Sequence, residues 1–194
     1  IWFAGGEPCP VAMREEEDYL PNLEEIPSDA ARAATAFYLN YPNNPTGAVA
    51  TRAFLDALVA FAREYDIVVC YDNAYSEIVF ETERLSFLNA EGAKDVGIEL
   101  NSLSKPFNMT GWRIGMAVGN PEVIGAMATS KANTDSGIFN AVQYAGIEAL
   151  EHGDAFTARM LEIYRRRREK VLATLRELGW IYEPPRGTFY LWAP

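Results

Sequence analysis

Three short stretches of the sequence carry polar side chains that could take part in chemistry together. The first follows a tyrosine-containing strand candidate, the second follows an apolar run, and the third contains a lysine that follows two serines. The side chains are Asn44, Asp72, Tyr75, Ser102, Ser104, Lys105 and Arg113. The chain has a single histidine, His152, so multi-histidine metal sites and a histidine-based triad are poor explanations. Catalysis would therefore depend on Lys, Tyr, Asp, Glu or a cofactor.

These residue types together fit the chemistry of one cofactor. A lysine amine can form an imine with a carbonyl group. Pyridoxal phosphate supplies such a carbonyl, and it acts as an electron sink when a carboxylate keeps its ring nitrogen protonated. Its phosphate needs hydroxyl donors and a fixed cation, which the planar guanidinium of arginine provides. The sequence has a candidate for each requirement and therefore predicts a pyridoxal phosphate site.

Each cluster, taken alone, also has a simpler structural explanation. The Asn, Pro and Gly of residues 43–47 satisfy turn geometry without any ligand. Asp72 at a strand end could cap a turn, and Lys105 before a proline could be a solvated loop lysine. His152 lies near a predicted helix C-terminus, where a partial positive charge is favourable. Only the combination of clusters favours the cofactor site.

The elements that must position these side chains alternate between strands and helices. Apolar runs predict strands at 37–39, 67–71, 98–100 and 114–118, and the spacing of Phe54, Leu58, Phe61 and Tyr65 predicts a helix capped by Thr51. Such alternation indicates an α/β fold with a mostly parallel sheet flanked by helices. Ligands bind beyond the carboxyl ends of the strands in these sheets, and the three polar clusters follow three of the predicted strands.

Helices dominate the second half of the sequence. Pro121 opens a predicted helix to about residue 131, a second spans about 139–150, and a long third runs from near Asp154 to Gly179. Residues 180–182 and 188–192 have strand patterns that we assign to a different unit. We therefore predict a large domain over residues 1–165 and the start of a small α+β C-terminal domain over residues 166–194.

Composition narrows the class of protein further. The chain has 194 residues, of which 49% are hydrophobic, which is enough for one sizeable core. A net charge of −10 disfavours nucleic acid and anionic membrane surfaces as partners, and no apolar run is long enough to span a bilayer. Two cysteines cannot form a disulfide framework, which favours a reducing cytoplasm. The sequence begins at Ile1 rather than Met, and we expect it to be a piece of a longer protein.

The three clusters match motifs of a known family in the order in which they occur. The stretch SLSKPFNMTGWRIG (102–115) resembles the pyridoxal phosphate attachment signature of class I and II aminotransferases, with lysine, glycine and arginine at the required intervals. NPTG (44–47) and DNAY (72–75) resemble two further motifs of that family. The resemblance covers nearly the whole chain and implies the fold of the pyridoxal phosphate-dependent transferases, fold type I.

The resemblance implies a role for each candidate residue. Lys105 holds the cofactor covalently and later moves the proton between a substrate carbon and a cofactor carbon. Asp72 pairs with the pyridinium nitrogen. Tyr75 and Asn44 bond the phenolic oxygen of the ring, and Asn44 also reaches the substrate carboxylate. The remaining three residues, Ser102, Ser104 and Arg113, hold the phosphate.

Within the superfamily, three stretches most resemble the LL-diaminopimelate aminotransferases of lysine biosynthesis: YLNYPNNPTGA (38–48), AYSEI (74–78) and DSGIF (135–139). The implied substrates are an amino acid and a 2-oxo acid, namely LL-2,6-diaminopimelate and 2-oxoglutarate. Aminotransferases for alanine, aspartate or aromatic substrates have related stretches. A pyridoxal phosphate lyase on the same fold, or a ligand-sensing domain without turnover, remains an alternative.

Family members are homodimers whose sites include residues from outside these 194. A glycine-rich phosphate-binding turn and a ring-stacking aromatic residue lie in the family's N-terminal part, and an arginine that binds the substrate carboxylate lies in its C-terminal part. None of these has a counterpart in this sequence. We therefore expect a homodimer at full length, and little or no activity from the 194 residues alone.

Overall fold

A four-stranded sheet is the central element of the chain in the computed structural model, which describes residues 1–180 and 183–192. The strands are β1 (Ala36–Asn40), β2 (Val68–Asp72), β3 (Gly97–Ser102) and β4 (Gly115–Gly119), adjacent in that order. The helices are α1 (Ser28–Ala33), α2 (Arg52–Tyr65), α3 (Ala93–Val96), α4 (Pro121–Thr134), α5 (Asn140–His152) and α6 (Asp154–Glu177). The predicted α/β fold with helices around a mostly parallel sheet is confirmed.

The strand register brings the carboxyl ends of β1, β2 and β3 to one edge of the sheet. These three strands are parallel, with Asn40 paired to Asp72 and Asp72 to Leu100. Strand β4 is antiparallel to β3, and Ser102 pairs with Gly115. Residues that follow β1, β2 and β3, and residues that precede β4, must therefore meet at the same edge.

Helix α2 supplies one buried face of the core. Its side chains at Leu55, Leu58, Val59 and Ala62 are buried, and their spacing of three and four residues places them on one side of the helix. The Phe54 N–H donates to the Thr51 hydroxyl at 3.1 Å, so the predicted N-cap is confirmed. The helix packs with buried side chains of β1 and β2 and so holds the sheet from that side.

The three predicted C-terminal helices are present. Pro121 is the first residue of α4, whose N-cap Asn120 accepts from the N–H groups of Glu122 and Val123. Helix α6 continues without a break from residue 154 to residue 177, so the expected domain boundary at 165/166 falls inside it. The division into two domains stays a prediction. In the described part of the chain, no helix combines the length and apolarity required to cross a membrane.

The predicted strand over residues 188–192 is wrong. Thr188 has a φ of 63°, in the left-handed region, and none of these residues belongs to a strand. An extended strand requires negative φ values throughout, so a left-handed residue at its start interrupts it. Of the other predicted C-terminal strand, residues 181–182 lie outside the described residues, and Trp180 is not in a strand.

Residues 185–190, which we call the crossing segment, instead contact the loops that follow β1 and β2. The Gly187 N–H donates to the Gly47 carbonyl at 2.9 Å, and the Thr188 N–H donates to the Ile78 carbonyl at 2.8 Å. A Cβ on Gly47 would lie 2.5 Å from the Pro185 Cβ, which shows how closely the two backbones approach. The segment therefore ties both loops together.

An ion-pair cluster joins α6 to the crossing segment. Arg168 on α6 contacts Glu81 at 2.7 Å, donates to the Pro185 carbonyl at 2.9 Å and lies 4.2 Å from the centre of the Phe80 ring. Arg165 contacts the other carboxylate oxygen of Glu81 at 3.2 Å. Burial alone would raise the pKa of Glu81, but hydrogen bonds from Arg168 and Arg165 outweigh it and hold that pKa below its ordinary value of 4.5.

Glu81→Gln should lower the free energy of unfolding near pH 7, by less than about 1 kcal/mol because the carboxylate is half-exposed. A carboxyl group with a lowered folded-state pKa stabilises the protein above its unfolded-state pKa and loses that effect as the pH falls through the folded-state value. The difference in the free energy of unfolding between wild type and variant should therefore be largest above pH 4.5 and become smaller below it. Urea denaturation at pH 7 and pH 3 measures this difference at each pH, with the exposed Glu64→Gln as control. An equal difference at the two pH values would contradict the ion-pair explanation.

Candidate active site

Asn40 connects the ends of β1 and β2 at the carboxyl edge of the sheet. Its side-chain N–H donates to the Asp72 carbonyl at 2.9 Å, and its side-chain oxygen accepts from the Asn44 N–H at 2.8 Å. One amide side chain thus bonds to both residues that the sequence places at the site. It fixes the backbone of Asn44 relative to that of Asp72.

A buried asparagine shapes the turn that carries Asn44. The Asn43 side chain donates to the Asn40 carbonyl at 3.1 Å and accepts from both the N–H and the hydroxyl of Thr46. The turn ends at Gly47, whose φ of 74° suits a residue without a Cβ. Asn43 is buried within this network, whereas Asn44 is exposed at the edge of the sheet.

Asp72 ends β2 with its carboxylate half-buried. The Ala74 N–H donates to it at 3.3 Å. Burial raises the pKa of Asp72 above its ordinary value of 3.8, and the Ala74 hydrogen bond acts in the opposite direction. Among the residues that the structure describes, no cation pairs with Asp72. A cationic ligand group beside this carboxylate would therefore offset the cost of its burial.

Tyr75 is the buried phenol of the site. Its hydroxyl lies 2.9 Å from the Tyr190 hydroxyl in the crossing segment. Burial raises the pKa of Tyr75 well above its ordinary value, contacts with Tyr190 and Asp72 act in the same direction, and the Asn44 side chain acts against them. The phenol is therefore protonated at neutral pH and can donate a hydrogen bond.

Lys105 lies in the turn that follows β3. The Phe107 N–H donates to the Leu103 carbonyl at 3.3 Å and closes this turn around the lysine. The lysine is partly buried, and its Nζ lies 6.0 Å from the centre of the Tyr75 ring. This distance is at the outer limit of a cation–π contact, so the amine lies beside the Tyr75 ring without being bound tightly to it.

Arg113 is linked to the serine pair through Thr110. Its guanidinium donates to the Thr110 carbonyl at 2.9 Å, and the Thr110 hydroxyl donates to the Ser104 carbonyl at 3.1 Å. The Ser104 N–H in turn donates to the Ser102 hydroxyl at 3.2 Å. Because β4 is antiparallel to β3, Arg113 returns to the edge where the serines lie. Arg113 is exposed and Ser104 is buried.

The structure thus brings all seven predicted residues to one edge of the sheet. Direct or near contacts join Asn44, Tyr75 and Lys105, and a second group joins Ser102, Ser104 and Arg113. The donor set fits pyridoxal phosphate. It offers an amine for the aldehyde, a carboxylate without a cationic partner for the ring nitrogen and a protonated phenol for the ring oxygen, with hydroxyls and a guanidinium for the phosphate.

Sequence reasoning missed three residues at this edge. Asn40 holds the strand ends together, Tyr190 contacts Tyr75, and Thr188 shapes the segment that carries Tyr190. A signal for Asn40 is present, since this asparagine follows the predicted strand at 37–39 and lies four positions before Asn44. No sequence signal connects Tyr190 to Tyr75, because the two residues are 115 positions apart.

The chain matches the family described as "Aminotransferase class I and II" over residues 2–194. It belongs to this family, whose members are pyridoxal phosphate-dependent enzymes. Among individual relatives, LL-diaminopimelate aminotransferase of Halothermothrix orenii is 52% identical over 194 residues, which cover 100% of this chain and 50% of that protein. The enzyme of the same name from Moorella thermoacetica is 52% identical, over 99% of this chain and 50% of its own length.

Solved structures agree with this family. Substrate-bound BacF from Bacillus subtilis superposes with a TM-score of 0.91 at 43% identity, over 94% of this chain and 47% of that one. Aspartate aminotransferase from Thermus thermophilus with maleate superposes with a TM-score of 0.88 at 36% identity, over 96% of this chain and 49% of that one. The chain spans about half the length of the curated relatives it matches.

Proposed function

We propose that these 194 residues act within a full-length pyridoxal phosphate-dependent aminotransferase, which moves an amino group between an amino acid and a 2-oxo acid. The observation that carries this proposal is the meeting of Lys105, Asp72 and Tyr75 at one sheet edge, with Lys105 Nζ 6.0 Å from the Tyr75 ring centre. An amine, a half-buried carboxylate and a protonated phenol are together the groups that the cofactor requires.

The proposed roles follow from the chemistry of each side chain. When bound, the cofactor supplies an aldehyde and an electron sink. Lys105 holds it covalently and afterwards carries a proton to and from the substrate carbon. Asp72 keeps the ring nitrogen protonated. Tyr75 and Asn44 hold the ring oxygen, and Asn44 also binds the substrate carboxylate; the phosphate is held by Ser102, Ser104 and Arg113.

We assign LL-2,6-diaminopimelate and 2-oxoglutarate as the substrate pair, in lysine biosynthesis in the cytoplasm. Support comes from the 52% identity to LL-diaminopimelate aminotransferases, which exceeds the identity of 36% to the aspartate aminotransferase of Thermus thermophilus. The relatives named LL-diaminopimelate aminotransferase come from several bacteria. The three sequence stretches that resemble this branch agree with the same choice.

We also propose that the full-length protein is a homodimer, with residues 1–165 in its large domain and residues 166–194 at the start of its small domain. Helix α5 and its N-cap residue leave large apolar side chains exposed, among them Tyr144 in the helix at 70% and Phe139 at the N-cap at 74%. Exposed aromatic side chains of this size are typical of surfaces that pack against further protein. The part of the full-length protein outside these 194 residues, or a second subunit, would cover these side chains.

Assay of the purified full-length protein tests the activity. With LL-2,6-diaminopimelate as donor, we expect glutamate to form only when 2-oxoglutarate is also present. A lyase would instead release a keto acid without any acceptor, and a ligand-sensing domain would bind the cofactor and give no product; either result would refute the proposed transamination. Faster turnover with alanine, aspartate or an aromatic amino acid would contradict only the assigned substrate.

A further inference from the structure

We propose that Tyr190 is a positioning residue of this site, whose hydroxyl donates to the Tyr75 oxygen and so directs the Tyr75 proton toward the bound cofactor. This inference rests on the proposed function, because it assigns a role relative to the pyridoxal phosphate site. It goes beyond that function, because Tyr190 lies in none of the three motifs that indicate the cofactor site.

The contact between the two phenols is specific in geometry. Their hydroxyl oxygens are 2.9 Å apart, within the ordinary range for an O–H donor and an oxygen acceptor. The ring of Tyr75 meets the Tyr190 ring edge-on, at 5.8 Å and 74°, and meets the Phe189 ring edge-on, at 5.5 Å and 79°. Edge-to-face contact with two neighbouring rings fixes the orientation of Tyr75 as well as its position.

Either hydroxyl can donate at this distance, and in the cofactor-bound protein the direction follows from the number of protons. Each phenol has a single proton to donate and can accept through its oxygen. If Tyr75 donated to Tyr190, it would have no proton left for the cofactor oxygen. If Tyr190 donates, the Tyr75 proton is free and its hydrogen bond is strengthened, because hydrogen bonds in a chain polarise one another. Only the second arrangement lets Tyr75 donate a hydrogen bond to the cofactor oxygen.

The backbone around Tyr190 is built to hold it in this place. Thr188 is fully buried, its N–H bonds to the loop that carries Tyr75, and its hydroxyl accepts from the Tyr190 N–H at 3.1 Å. A β-branched residue at a φ of 63° is rare and persists only where its surroundings enforce it. The strained residue lies two positions before Tyr190, which supports a functional role for this conformation.

The test compares Tyr190→Phe, which keeps the ring and removes the hydroxyl, with wild type in the full-length holoenzyme. Without the Tyr190 donor, Tyr75 binds the ring oxygen less strongly, and more negative charge stays beside the nitrogen that joins Lys105 to the cofactor. The pH midpoint of the cofactor absorption change should therefore rise by about 0.4 to 1 unit, the equivalent of one hydrogen bond. The kcat should fall by about 2- to 10-fold with KM nearly unchanged.

Two further variants isolate the pair. In a Tyr75→Phe background, adding Tyr190→Phe should not move the midpoint further, since the acceptor is already absent. Tyr65→Phe, at the end of α2 and packed on Phe61, removes a phenol elsewhere and should leave the midpoint as in wild type. A midpoint unchanged in Tyr190→Phe, or an equal further rise in the Tyr75→Phe background, would overturn the inference.

A measurement without cofactor separates this inference from the proposed function. With fluorotyrosine incorporated into the cofactor-free full-length protein, Tyr190→Phe should move the fluorine resonance of Tyr75, whereas Tyr65→Phe should not. An unmoved Tyr75 resonance would refute the hydroxyl pair even in a protein that binds pyridoxal phosphate. Failure of the protein to bind pyridoxal phosphate would refute the proposed function and with it the assigned role, and the resonance would still report whether the contact exists.

Discussion

Lys105→Ala should abolish covalent attachment of pyridoxal phosphate to the full-length protein and reduce transamination by at least about 10³-fold, since the variant loses both the attachment point and the proton-transfer group. The lysine turn lies directly after β3, on the edge that also presents Asp72 and Tyr75. Borohydride reduction followed by peptide mapping measures the attachment. The label should lie on Lys105 in wild type and be absent from the variant.

The fold should tolerate this change, which makes the result interpretable. Lys105 is only partly buried, and in the described residues no carboxylate pairs with it. The matched control is Lys94→Ala, an exposed lysine in α3, which should keep both label and turnover. A reduced label found on another lysine in wild type, or near-normal turnover in Lys105→Ala, would show that the assignment of the attachment site is wrong.

The sequence predicts the sheet well because its signals are local. Short apolar runs predict β1, β2 and β3, and the helical spacing together with Thr51 predicts α2 with its cap. The direction of β4 was not predictable in the same way. It depends on the return of the chain through a short turn at Thr110–Trp112 and a left-handed Arg113, which no apolar pattern encodes.

The candidate site also has residues that local sequence signals predict and residues that they do not. Asn44, Asp72 and Lys105 follow strand ends, so a rule about parallel sheets places them at one edge without any coordinates. Tyr190 reaches that edge only because the crossing segment bonds to two loops, through Gly47 and Ile78. The residue types at 188–192 are typical of a strand, and the bonds to these loops instead hold Thr188 in a left-handed conformation.

Ionised Asp72 should lower the free energy of unfolding of the cofactor-free protein, in contrast to its proposed contribution to catalysis. Burial raises its folded-state pKa above the ordinary value of 3.8, so ionisation opposes folding. That destabilisation is absent below pH 3.8, grows as the pH rises, and is complete above the folded-state pKa. Asp72→Asn removes the ionisable group, and the melting temperature of the cofactor-free full-length variant at pH 7 should equal or exceed that of wild type.

Turnover should change in the opposite direction. A carboxylate beside the ring nitrogen favours the protonated ring by about 1 to 3 pKa units, and an amide does not, so Asp72→Asn should lower kcat by about 10- to 1000-fold. Retained fold with lost turnover identifies a cofactor partner, because an asparagine oxygen can still accept from the Ala74 N–H and a residue that only caps this turn would keep both fold and turnover. Melting curves and steady-state rates of Asp72→Asn and of the exposed control Asp56→Asn measure the two effects. Near-normal transamination by Asp72→Asn would contradict the pairing with the ring nitrogen, and would indicate that the Ala74 hydrogen bond, which an asparagine keeps, is the main role of this side chain.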